Sequence, residues 1–231
     1  MNKITKRAIT ILIPTICLGI TILLGIDNTD ANAKKTDDIG IVNISDEQLK
    51  NYYNLGRENK KDLEKLGSQE WNKQILDTDN EIDQGKVDII SDGLAEMGEE
   101  NVTDVAENVK SSQALYIAAK AENIEASEKE IDTIIDYLRS LCAEEDNEMG
   151  DCMKAYCKGA GITLEEYFEY LRPFYEKRIV ISKYVEKNVD PKLEKEQITP
   201  GTMEAIELQN DVQQNLEKKA VERYGVEIVT E

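Results

Sequence analysis

The chain has no histidine, so its reactive side chains are 47 carboxylates, 28 lysines and arginines, four cysteines and ten tyrosines. Without imidazole there is no Ser/His/Asp or Cys/His nucleophile system, no histidine acid–base pair and little basis for a zinc site. No Gly-rich phosphate loop and no Cys-x-x-Cys occurs. Asp77-x-Asp79-x-Glu81-x-Asp83 imitates the opening of a calcium loop, but Ile82 stands where the sharp turn needs glycine, and Asp88 replaces the long bidentate glutamate. That run reads as a solvated acidic loop. Paired carboxylates of the glycosidase kind carry no signal in so acidic a chain. The residues therefore point to no enzyme, cofactor or metal.

Three of the cysteines, Cys142, Cys152 and Cys157, lie in the body of the chain, and an odd number leaves at least one thiol unpaired. Cys142 and Cys152 are equidistant from Asn147, the midpoint of the turn between two helices, so a Cys142–Cys152 disulfide is the expected pairing if one forms. Cys157 then stays in the core as a small apolar side chain.

Residues 1–33 form a targeting unit. Lys3, Lys6 and Arg7 precede an uncharged stretch over residues 8–26, and Ala31-Asn32-Ala33 offers a small-x-small cleavage pattern. The segment is either cleaved after Ala33 or kept as a membrane anchor, and both routes carry the rest of the chain out of the cytoplasm. The expected location is extracytoplasmic, secreted or anchored, with membrane contact only through an uncleaved segment. Removing Lys3, Lys6, Arg7, Asp27 and Asp30 leaves 25 basic and 45 acidic residues over 34–231, a formal charge of −20. Such a surface repels phosphate backbones, so nucleic acid is excluded as a partner.

The elements that position these residues are mainly helices. Ser45 with Gln48, Ser127 with Glu130, and Thr163 with Glu166 are three capping-box starts. Apolar residues in 102–123 mark one long helix. Ile131, Ile134, Ile135, Leu138, Leu141 and Cys142 form a single buried stripe on the next. A short helix over about 151–158 ends at Gly159 and Gly161. The helix from Thr163 carries Leu164, Tyr167, Phe168, Leu171, Tyr175, Ile179, Tyr184 and Val185, bends at Pro173, and gives way to a linker at 190–202. Met203 to Arg223 is the last helix. Residues 39–43 and 226–230 are short strand candidates, and their pairing would tie the chain ends together. The fold expected is a single mainly α domain with that small two-stranded pairing.

The order of these parts, with Gly161-Ile162-Thr163-Leu164-Glu165-Glu166-Tyr167, Tyr170-Leu171-Arg172 and Ile179-Val180-Ile181-Ser182-Lys183, resembles the N-terminal chaperone domain of SurA/PrsA-type extracytoplasmic foldases. Ile41-Val42-Asn43 before Ser45, and the final helix and strand, resemble the start and return of that module. Residues 56–100 match poorly and look like an extension. Family members insert parvulin isomerase domains where this chain has only residues 190–202, and parvulin catalysis draws on histidines.

The resemblance implies a chaperone module that binds unfolded or exported polypeptides without isomerase activity. The alternative is a non-catalytic interaction or structural subunit of an envelope assembly. A helical cleft bearing Tyr167, Tyr170, Tyr175 and Met153 is the expected peptide-binding surface, since tyrosine and methionine tolerate many apolar partners. Tyr156, Tyr167, Tyr170 and Tyr175, at helical spacing, also suit a core or its boundary. Proline isomerisation in the presence of this protein is expected to keep its uncatalysed time, on the order of tens to hundreds of seconds. Acceleration at catalytic protein concentrations in a proline-peptide assay would contradict that.

Overall fold

The computed structural model describes residues 45–84, 105–143 and 148–230. The targeting unit at 1–33, the strand candidate at 39–43 and the second part of the poorly matched extension fall outside them. Eight helices and two strands are present among the described residues: α1 (Asp46–Glu58), α2 (Lys60–Leu66), α3 (Gln69–Ile75), β1 (Glu81–Asp83), α4 (Val105–Ala121), α5 (Glu128–Ala143), α6 (Glu148–Ala160), α7 (Leu164–Glu196), α8 (Met203–Tyr224) and β2 (Glu227–Val229). The protein is mainly helical with one small parallel sheet.

Local sequence accounts for the helix starts. At α1 the Ser45 hydroxyl accepts from the Gln48 N–H, while the Gln48 side chain accepts from the Ser45 N–H at 2.8 Å. At α7 the Thr163 N–H donates to Glu166 at 2.7 Å and the Thr163 hydroxyl accepts the Glu166 N–H. The Thr163 N–H and, next, the Thr163 hydroxyl donating to the Glu166 carboxylate hold that carboxyl below its ordinary value. α8 begins at Thr202, whose hydroxyl accepts from Ala205, and ends at Gly225 in the left-handed region.

Where one domain is expected, the described residues form two compact units. The first contains residues 45–76 and 128–175, hence α1, α2, α3, α5, α6 and the opening turns of α7. The second contains residues 77–84, 105–127 and 176–230, with β1, α4, the rest of α7, α8 and β2.

In the first unit α6 packs along α1. A Cβ on Gly56 of α1 would collide with the Tyr156 carbonyl of α6, and a Cβ on Gly159 of α6 with the Tyr53 carbonyl of α1. Gly159 is thus not the helix end expected of it. It is a contact point, and α6 runs one residue further, to Ala160, before Gly161 turns the chain at φ +77°. On its other side α6 meets α5 at Gly150, where a Cβ would lie 2.9 Å from the Cα of Cys142. Arg172 of α7 reaches Glu128 and Asp132 of α5 at 2.6 and 2.8 Å, and Arg139 of α5 reaches Glu165 of α7 at 2.7 Å. Being largely exposed, such pairs align the helices more than they stabilise them.

In the second unit α8 packs along α4. Ala114, Leu115, Ile117 and Ala118 of α4 form a core with Ala220, Val226 and Ile82. Further along, Val185 and Val189 of α7 pack with Val212 of α8. Two expectations change here. The C-terminal strand pairs with β1, with Glu81, Ile82 and Asp83 opposite Glu227, Ile228 and Val229, a partner that the sequence did not suggest. Ile82, part of the acidic run read as a solvated loop, is a buried strand residue. The segment 190–202 is also less of a linker than anticipated, because α7 continues through Pro173 and Pro191 to Glu196. Apolar Leu193 packs on the α7–α8 core and keeps the helix going, so the turn is confined to residues 197–202. Among the described residues, no helix is long and apolar enough to cross a membrane.

Alanine normally favours a helix over glycine by about 1 kcal/mol, so Gly56→Ala and Gly159→Ala test the crossing by sign. Each is expected to lower the thermal midpoint followed by circular dichroism, at a cost of about 1–3 kcal/mol from overpacking. An unchanged or raised midpoint would show that the two backbones do not meet there.

Candidate functional site

The tyrosine–methionine set expected to bind peptide lies in the first unit and is mostly sealed. Tyr167 and Tyr175 are each 3% exposed and Met153 1%. Tyr156 meets Tyr167 edge-on at 6.1 Å, and Phe168 lies tilted beside Tyr167 at 6.4 Å. Burial first, then neighbouring Tyr156, pushes the Tyr167 hydroxyl well above its ordinary value. Leu164, Tyr167, Phe168, Leu171 and Tyr175 share one face of α7, and the unit closes on that face. Tyr170, at the edge of the stripe, is half-buried, and its ring lies against Gly67. Of the four, it alone has surface left to offer.

The three cysteines are free and buried, and the expected Cys142–Cys152 bridge is not formed. The α5–α6 register explains this. Gly150 backs onto Cys142, and Met153, one turn along the same face, places its sulfur 3.5 Å from the Cys142 thiol. Cys152 points instead toward Tyr52 of α1, whose hydroxyl is held far above its ordinary value by burial and then by Cys152. Cys157 is pushed up to about 12 by burial, with Cys142 contributing. Thiols in such surroundings are poor nucleophiles.

The acidic run is occupied by folding. Gln113 of α4, 6% exposed, donates to the carbonyls of Asp77 and Asp79 at 3.2 and 2.9 Å, and its own carbonyl accepts from Lys177 of α7. The Lys177 ammonium also sits 5.1 Å over the Tyr116 ring. β1 then takes Glu81–Asp83 into the sheet. Among the described residues no cluster of three or more histidine, cysteine or carboxylate side chains is arranged to hold a metal ion.

The concave feature with convergent chemistry lies in the second unit, between α4, α7 and α8. It is a cleft of about 320 Å³ walled by Ala118 and Ala121 of α4 and Glu122 just past it, Tyr184 of α7, and Leu216, Lys219, Ala220, Arg223 and Tyr224 of α8. Three alanines make the space: where longer side chains would fill the gap, Ala118, Ala121 and Ala220 leave it open between the two tyrosines. Glu122 is engaged by Lys187 at 2.8 Å. Arg223 stacks 5.4 Å over the Tyr224 ring. Burial first, then Glu122, raises the Tyr184 hydroxyl, while Arg223 and Lys187 oppose that shift. A second depression, about 440 Å³, lies at the α7–α8 turn beside Asp190, Leu193, Glu194, Gln197, Ile198, Thr199 and Pro200. It is more open, and its charged groups are both acidic.

Neither Tyr184 nor Tyr224 belongs to the expected peptide-binding set. Their sequence signal was only helical placement, and it is the small residues facing them from other helices that leave them partly uncovered. Comparison with known protein families, with curated proteins and with solved structures finds no match to this chain.

The buried thiol and phenol groups give the protein a defined alkaline limit. Cys157 rises from 9.0 and Tyr116 from 10.0, each to about 12, because burial disfavours their anions. The folded state holds these protons more tightly than the unfolded chain. Their contribution to stability is therefore whole below about pH 9, shrinks between about pH 9 and 12, and is lost as the folded values are passed. Denaturant midpoints measured across that range are expected to fall steadily. A midpoint level to pH 11.5 would place these groups in solvent.

Proposed function

We propose that this chain is an exported, non-enzymatic chaperone-like protein that holds extended or unfolded polypeptide outside the cytoplasm, and that the α4–α7–α8 cleft is where it grips. The observation that carries this reading is the cleft wall itself, in which aliphatic side chains lie between two partly uncovered tyrosines. Such a surface makes non-directional apolar contacts with many sequences, while the phenol tips keep it wetted. The N-terminal targeting unit and the resemblance to SurA/PrsA-type chaperone domains support the location and the client class. The high negative charge keeps a binder of exposed chains from associating with itself.

Met203 and Ile206, 70% and 45% exposed on the first turn of α8, favour a second reading, a docking subunit of an envelope assembly. Light scattering of a chemically denatured client separates the two. The mature protein is expected to suppress aggregation at near-stoichiometric ratios, and Tyr184→Ala with Tyr224→Ala is expected to weaken suppression more than it lowers the melting temperature. Unaltered client aggregation, with a stable stoichiometric partner on pull-down, would replace the chaperone reading by the docking one.

A further inference from the structure

The cleft carries a charge arrangement that apolar holding does not need. Lys219 and Arg223 stand four residues apart on α8, both exposed, and both line the cleft. Like charges at that helical spacing repel by a few tenths of a kcal/mol. In a chain with 47 acidic residues against 28 basic, neither has an ion-pair or hydrogen-bond partner among the described residues. The cations nearby are used differently: Lys187 is taken by Glu122, and Lys183 donates to the Glu125 carbonyl at 2.9 Å. The hydroxyls of Tyr184 and Tyr224 are likewise without a protein partner among the described residues.

We propose that the cleft reads the C-terminal end of a polypeptide: its carboxylate is held by Lys219 and Arg223, and its last side chain, apolar, lies over Leu216, Ala118 and Ala220 between the two tyrosines. This rests on the polypeptide-binding reading above and adds the part of the chain that is recognised. Size supports a chain end over a chain middle. About 320 Å³ is near the lower limit of ligand pockets and admits one residue with its terminus, not an extended strand. The sign of the walls sets the orientation. Glu122, just past α4, turns a carboxylate away, while Arg223, its guanidinium 5.4 Å over the Tyr224 ring, offers a fork from α8 able to make two parallel hydrogen bonds. A terminal carboxylate is the one negative group that every polypeptide brings next to an arbitrary side chain, which suits a binder of varied clients.

Titration calorimetry on the mature protein tests this with a short peptide ending in Leu, compared as free acid and as C-terminal amide. The free acid is expected to bind about ten-fold more tightly at low ionic strength, the gain two exposed cations can supply, and the gap is expected to narrow with salt. Lys219→Gln with Arg223→Gln should erase the gap, leaving circular dichroism and melting unchanged because both side chains are exposed. Arg223→Lys should keep part of it. Equal binding of acid and amide, no binding of either, or a gap that survives the double substitution would overturn the proposal. Decanoate binding more tightly than the peptide would overturn the polypeptide assignment. Failure of the wider reading looks different: acid over amide with no suppression of client aggregation removes the holding role and keeps the carboxylate site, and the converse keeps holding and removes the site.

Discussion

The first unit depends on the direct approach of two helix backbones. With Gly56 and Gly159 each facing a carbonyl of the other helix, α1 and α6 meet without intervening side chains. That closeness places Tyr52 against Cys152, and the Asn59 amide within 3.4 Å of the Tyr156 hydroxyl. Cys142, Cys152, Met153, Tyr156 and Cys157 then fill the interior left between α1, α5 and α7. The chain has only two phenylalanines and one tryptophan. Close backbone contact lets thiols, a methionine and tyrosines complete a core that in a more aromatic protein would hold bulky rings.

The second unit solves a different problem, how to anchor an acidic, irregular segment. Backbone carbonyls outside regular elements take donors from elsewhere in the fold, and those of Asp77 and Asp79 lie beside the buried Gln113 side chain. Gln113 satisfies both with one amide and passes its own carbonyl to Lys177. β1 is thereby delivered beside β2, where the Glu227 N–H donates to the Asn80 carbonyl at 2.9 Å and the Asn80 amide donates to the Tyr224 and Gly225 carbonyls. This anchoring fixes the end of α8, and with it Arg223 and Tyr224 at the cleft. A loop whose sequence imitates a metal site thus anchors one wall of the cleft.

Charge and function meet at the same place. Arg139, Arg172 and Lys187 neutralise nearby carboxylates. Lys219 and Arg223 do not, and with Glu122 they are the charged residues of the cleft wall. A positive spot on a strongly negative body attracts anions only at short range, since the surrounding field opposes it.

By itself the sequence determined the helical character, the cap residues Ser45 and Thr163, the buried stripe of α5 and the strand character of 227–229. These are local: each follows from side-chain oxygens reaching nearby N–H groups or from the period of apolar residues along one element. It also pointed to the acidic run as an unlikely calcium loop, because a missing turn glycine is visible in one dimension. Partner choice lay beyond it. Gly159 looks like a helix stop until a second backbone fills the space beside it. That 81–83 would lie beside the last strand depends on Gln113, distant in sequence, holding the segment before it. The same tyrosine spacing suits a core or a cleft, and tertiary packing sealed Tyr167 and Tyr175 while small alanines on facing helices left Tyr184 and Tyr224 open. The helical period tells which side chains share a face, but only the residues opposite, brought there by long-range contacts, decide whether that face closes.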